Sequence, residues 1–168
     1  MAWFISAILF PIPLINLWLH AFLPFWRRHK RSFPFVALIF WVASFFWFKK
    51  LSVFSPDAFA PTETMVLVGY ALMIIGFLFV ILSVLTLGIK RFFLVAVLDP
   101  KGVEQVRIKI GVFRHFPHPA YVGYLIVAAG NFLSSGAIYL GGVLIFLLFL
   151  MPIIILLEEH ELEKRLNI

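Results

Sequence analysis

Residues 111–123 read GVFRHFPHPAYVG, and Glu158-Glu159 close the apolar run that follows them. These two stretches hold the side chains with chemistry to offer. Arg114 is a fixed positive charge. His115, His118 and Tyr121 donate or accept hydrogen bonds, and the two carboxylates only accept. Carboxylates suit hydroxyl and ammonium groups of a ligand, whereas imidazole and backbone N–H groups suit an anion. Between Arg114 and Glu158 there is no Asp, Glu, Lys or Arg. A chargeless run long enough to cross a bilayer twice returns both of its ends to one face. His115, His118, Tyr121, Glu158 and Glu159 are therefore expected to converge at one membrane surface.

The rest of the chain must hold that convergence in place. Of its 168 residues, 63% are hydrophobic and only 13% charged, and the mean hydropathy is +1.06. A soluble domain is closer to half apolar and a quarter charged. The expected class is an all-α integral membrane protein of about five transmembrane helices, with a C-terminal helical hairpin and a polar loop and tail on one side. Absence of cysteine excludes disulfides and thiolate chemistry. The formal charge of +6 lies mostly beside apolar runs, where it sets topology and favours anionic lipid head groups; no nucleic-acid partner is expected. No Lys or Arg precedes the first apolar run, so it is read as a membrane span and not as a cleaved leader.

The first span is expected over residues 2–26, kinked near Pro11 and Pro13. Asn16 and His20, four apart, share a face turned to the bundle interior for an interhelical hydrogen bond. The second span, 32–48, is short and ended by Lys49-Lys50, with an exposed loop over 51–64. The third covers 64–87, where Gly69 and Gly76 share a face suited to close packing. Residues 89–98 are too short to cross and are placed along the interface. Residues 99–110 are polar and are not forced into a strand. The fourth span is about 119–132, the turn 131–137 and the fifth span 138–157. Gly123 and Gly130, with Gly141-Gly142, are expected to let these last two helices pack tightly. Two regions follow: residues 1–63 as an N-terminal two-span membrane region, and 64–168 as the core that carries the chemistry.

With five spans, twelve of the fourteen Lys and Arg fall on one side and only Lys49 and Lys50 on the other. That bias places the N-terminus outside and the C-terminus in the cytoplasm.

The pattern G-x-F-x-x-x-P-H-P-x-Y-x-G, then a hairpin, then E-E-x-x-L, resembles the isoprenylcysteine carboxyl methyltransferase family. That family is related to the phospholipid N-methyltransferases. The positions that carry the resemblance are Gly111, Phe113, His118, Pro119, Tyr121, Gly123, Glu158, Glu159 and Leu162. Leu87-Gly88 with Phe92 also resembles the family, and the likeness runs over residues 87–167. It implies a polytopic membrane enzyme that takes a methyl group from S-adenosylmethionine. His118, Pro119, Tyr121, Gly123, Glu158 and Glu159 are the implied cofactor-binding residues, with Arg114 and Gln105 beside them. The implied acceptor is lipidic or lipophilic, reached sideways from the bilayer. A prenylated cysteine, a phospholipid amine, a thiol and a small lipophile all remain open, as does the oligomeric state.

Two departures stand out. Pro117 replaces the arginine that the family places before His-Pro, and the chain stops at Ile168, after Leu166-Asn167, where relatives continue into a segment with two tyrosines. They favour an alternative: a methyltransferase-like membrane scaffold that has lost catalysis. Taken singly, each motif residue has a plain structural role. His118 is an extended lead-in before proline, the tyrosines are interfacial anchors, and the glutamates are the wet end of a span. Their joint order and spacing point to the cofactor site. A metal held by His115, His118 and His160 explains the pattern less well, and none is expected. A transporter would place ionisable groups at mid-membrane, whereas the apolar runs hold only His20, near the end of the first.

Overall fold

A computed structural model describes residues 2–103 and 105–166; Asn167 and Ile168, the end of the expected resemblance and of the 64–168 region, lie outside them. The described chain is mostly helical, with irregular backbone over residues 55–62 and in the described part of 99–110. The first apolar run folds as α1 (Ala2–Leu9), α2 (Pro11–Ala21) and α3 (Leu23–Arg28). The expected kink falls at Phe10, and Pro11 opens α2, where a missing N–H costs no hydrogen bond. A second break at Phe22 precedes Pro24.

Helix α4 (Phe33–Phe54) corrects the expected short second span, because it runs on through Lys49-Lys50. Lysine is a good helix former, and its long stem lets the ammonium reach water while the backbone stays helical. The stop comes at Ser55, whose extended backbone precedes Pro56. Thr62 then caps α5 (Glu63–Leu87) by accepting from the Met65 N–H at 3.3 Å. Two single turns, α6 (Ile89–Phe92) and α7 (Val95–Leu98), are joined through Leu94 in the left-handed region, φ 64°. They are too short to cross. The second of them is buried, with Val97 and Leu98 packed against Leu23 and Trp26 of α3. No strand forms over the described part of 99–110. A 3₁₀ turn (Gly111–Arg114) leads to α8 (Pro119–Ser135), which ends at left-handed Gly136. Helix α9 (Ile138–Leu166) carries the expected fifth span and the charged tail as one continuous helix, with Pro152 inside it.

Among the described residues, four stretches are long and apolar enough to cross a membrane: Ala2–Ala21, Phe33–Phe54, Glu63–Leu87 and Ile138–Leu166. At 17 residues α8 is shorter, about 26 Å at 1.5 Å per residue. Its two ends nevertheless join opposite ends of the bundle. At one end, Asn131 Nδ2 donates to the Ala2 carbonyl at 2.9 Å and Ala58 N–H donates to the Gly136 carbonyl at 2.7 Å. At the other, His118 meets Glu158 and Glu159 of α9. The polar borders of the chargeless run thus lie together.

The glycines pair differently from expectation. Gly123 and Gly130 of α8 face Gly76 and Gly69 of α5, not α9. A Cβ added at Gly130 would lie 2.5 Å from the Gly69 carbonyl oxygen, and one at Gly76 would lie 2.6 Å from that of Gly123. Both helices carry glycine at a spacing of seven, so the two pairs meet in an antiparallel crossing. Close backbone approach is the principal source of helix association where lipid removes the hydrophobic drive. Gly141 packs instead under the Phe132 ring, and Gly142 faces open space. Helix α9 meets α8 and α2 through larger side chains: Tyr121 and Tyr124 cluster with Leu147, Leu150, Met151 and Ile154. Asn16 makes the expected interhelical bond. His20 is buried, and its ring nitrogens have no hydrogen-bond partner among the described residues.

Candidate functional site

His118 is the residue before Pro119 and the cap of α8, held non-helical at φ −128° and ψ 64°. Its ring therefore stands at the mouth of the helix, not along its side. Nε2 lies 3.0 Å from Glu159 Oε1, and Nδ1 lies 3.8 Å from Glu158 Oε2. Tyr121, three residues on, stacks beside the imidazole with centroids 5.8 Å apart and planes 18° apart. Its hydroxyl donates to Glu158 Oε2 at 2.8 Å and accepts from Asn16 Nδ2 at 3.0 Å. Arg107 Nη2 donates to Glu159 Oε2 at 2.5 Å. Adjacent carboxylates repel, and here each is fixed by its own partners: Glu159 by imidazole and guanidinium, Glu158 by the phenol.

A second cluster braces the first. Glu161, one turn along α9, is buried and accepts from Arg27 and, at 2.6 Å, from Arg165 Nε. Arg27 Nε also donates to the Val97 carbonyl at 3.0 Å, and Arg165 Nη1 to the Ala96 carbonyl at 3.3 Å and to Gln105 Oε1. Gln105 Nε2 in turn donates to the carbonyls of Val103 at 2.6 Å and Pro100 at 3.0 Å. Ala96, Val97 and Gln105 are thereby tied to α3 and to the end of α9.

Between these clusters lies a cavity of about 510 Å³, within the size range of small-molecule sites. Gln105, Arg107, Arg114, His118, Glu158 and Glu159 line it, with Leu87, Leu94, Phe113 and Leu162 as apolar wall. Of the residues expected from sequence, His118, Glu158, Glu159, Arg114 and Gln105 line the cavity. Pro119, Tyr121 and Gly123 do not. Pro119 is buried as the first residue of α8, Tyr121 backs Glu158, and Gly123 belongs to the contact with α5. Pro117 lines the cavity beside His118.

Arg107, Glu161, Arg165 and Asn16 were not marked as site residues from sequence. A signal existed for two of them. On a helix through Glu158, positions 161, 162 and 165 return to the same face, so the tail could have been read as one amphipathic wall. Arg107 lies in irregular backbone, where no period fixes a side chain's direction.

The arrangement presents carboxylates, an imidazole and guanidinium groups along one apolar-backed cavity at the end of a membrane bundle. It can grip a polar molecule bearing hydroxyl, ammonium and carboxylate groups. Compared with models of known families, residues 64–166 match the phospholipid methyltransferase model. No curated protein and no solved structure matches this chain. The match takes in α5 through α9, and with it every residue that lines the cavity; the chain belongs to the phospholipid methyltransferase family, a family of membrane methyltransferases.

Proposed function

We propose that this chain transfers a methyl group from S-adenosylmethionine to a lipidic or lipophilic acceptor at the cytoplasmic face of the membrane. The observation that carries the proposal is the cavity walled by His118, Glu158 and Glu159. The donor set fits the cofactor: Glu158 and Glu159 would hold ribose hydroxyls or the ammonium, and His118, Arg114 and Arg107 would hold the carboxylate. Glu159 and Arg107 already neutralise each other at 2.5 Å, so this pair can present both signs to one ligand. Replacement of the family's arginine by Pro117 does not strip the cavity of guanidinium groups, because Arg107 and Arg114 line it too.

S-adenosylmethionine, when bound, supplies a methyl group already activated on a sulfonium. The protein's remaining tasks are to align donor and acceptor and to exclude water. Leu87, Leu94, Phe113 and Leu162 provide the apolar part of the wall. With S-adenosylmethionine held there by Glu158, Glu159 and His118, the methyl carbon would pass to the acceptor's lone pair and the C–S electron pair would stay on sulfur. No metal or covalent intermediate is required. The signature at 111–123 and 158–162 supports, as the finer reading, the related isoprenylcysteine carboxyl methyltransferase type.

Calorimetric titration of the purified protein with S-adenosylhomocysteine is expected to give one-site binding with Kd below about 1 mM, the usual upper range for enzyme ligands. No heat from folded protein would defeat the proposal. Labelled methyl transfer into lipid extracts then identifies the acceptor. A carboxyl methyl ester loses its label in mild base, and a methylated amine keeps it. Base-stable label would reject the isoprenylcysteine type.

The charge bias supports a cytoplasmic C-terminus. A reporter fused after Ile168 is expected to be active in the cytoplasm; activity on the far side would reverse this orientation.

A further inference from the structure

The family match begins at residue 64, yet one wall of the site is braced from earlier in the chain. Asn16 lies in α2 and is 9% exposed. A buried amide that lacked a partner would carry a desolvation penalty. Its Nδ2 donates to the hydroxyl of Tyr121, itself 7% exposed, at 3.0 Å. A phenol has one proton to give. With the Asn16 N–H filling an acceptor position, that proton is directed to Glu158 Oε2, 2.8 Å away. Glu159 needs no such help, since its two oxygens are engaged by His118 and Arg107. The helix that follows the one carrying Asn16 is also anchored to the site. Arg27, at the end of α3, reaches both Glu161 of α9 and the Val97 carbonyl, which fixes the N-terminal helices against the cavity.

We infer that Asn16 is a positioning residue for the methyl-donor site, acting through Tyr121 to hold the Glu158 carboxylate in its binding orientation. The N-terminal helices are on this view part of the site and more than a membrane anchor. The inference rests on the functional proposal above. Its consequence is specific: a change at residue 16 is felt by the ligand only while Tyr121 can relay it.

The test is a double-mutant cycle on the full chain, read by calorimetric titration with S-adenosylhomocysteine. Asn16→Leu and Tyr121→Phe are each expected to weaken binding roughly tenfold, the equivalent of one hydrogen bond to a charged group. In the Tyr121→Phe background, Asn16→Leu is expected to add less than about twofold, since coupled members of a network are not additive. Wild-type affinity in Asn16→Leu overturns the inference. So does a full tenfold loss on top of Tyr121→Phe, which would mean that Asn16 acts on packing alone. Should Asn16→Leu fail to fold, as judged by its melting curve without ligand, Asn16→Asp keeps the volume and exchanges the amide donor for a carboxylate. The same tenfold loss is expected there, and wild-type affinity overturns the inference. A wild-type protein that binds nothing defeats the functional proposal and this inference together. Binding in the wild type with unchanged residue-16 variants defeats only the latter.

Discussion

Glu158→Gln should lower methyl transfer by roughly 10- to 100-fold, the range set by loss of one or two hydrogen bonds to a charged group. The substitution preserves shape, so the cause is chemical. Tyr121 donates to Glu158 Oε2 at 2.8 Å, and His118 Nδ1 is 3.8 Å from the same oxygen. An amide nitrogen in that place would set a donor against the Tyr121 donor. An amide oxygen there would keep the bond and lose the charge that suits an ammonium or hydroxyl ligand. Labelled methyl transfer, with S-adenosylhomocysteine affinity measured alongside, reports the loss, and a melting curve shows whether the fold is intact. A folded Glu158→Gln protein with full activity would remove Glu158 from the site. Glu159→Gln releases Arg107 from its ion pair, so the two glutamates are expected to differ in how the loss divides between binding and rate.

A second large effect belongs to stability. Gly130→Val is expected to destabilise the bundle by about 3 kcal/mol or more, the upper end of overpacking penalties. An added Cβ would meet backbone on the facing helix: the Gly69 oxygen at 2.5 Å and the Met73 nitrogen at 2.9 Å. Backbone cannot swing aside as a side-chain tip can. Separating α5 from α8 would also displace the start of α8, and with it His118. Melting in detergent is expected to show a markedly lower Tm and a loss of monodisperse protein. Gly142→Ala is the control, because nothing on another element lies within 4 Å of its added Cβ, and it should leave Tm unlowered or slightly raised, alanine being the better helix former. Tolerance of valine at both Gly69 and Gly130 would refute this crossing.

The sequence carried the part of the fold that charge can write. A run without Asp, Glu, Lys or Arg between Arg114 and Glu158 was enough to bring His118, Glu158 and Glu159 to one face. The shared face of Asn16 and His20 was enough to turn Asn16 inward. Partner choice was less legible. Gly123 and Gly130 announce a close crossing, but the period of seven does not say with which helix. Only the matching pair Gly69 and Gly76 resolves it, and that requires comparing spacings across distant segments. Lys49-Lys50 misled because charge marks where water begins, not where helical hydrogen bonding ends. Arg107 was hidden by irregular backbone, and Glu161 and Arg165 by their place in a tail that reads as solvated surface.

The unbroken course of α9 has a further consequence. At 1.5 Å per residue, residues 138–157 rise about 30 Å, close to the thickness of the hydrocarbon layer, and Pro152 lies within that stretch. Glu158 and Glu159 follow on the same helix with no loop between. Their depth is therefore gauged by helix rise and not by a loop that could drift. An amphiphile can leave its tail among its neighbours and still offer its head group at that level, so no molecule need be lifted out of the bilayer to react.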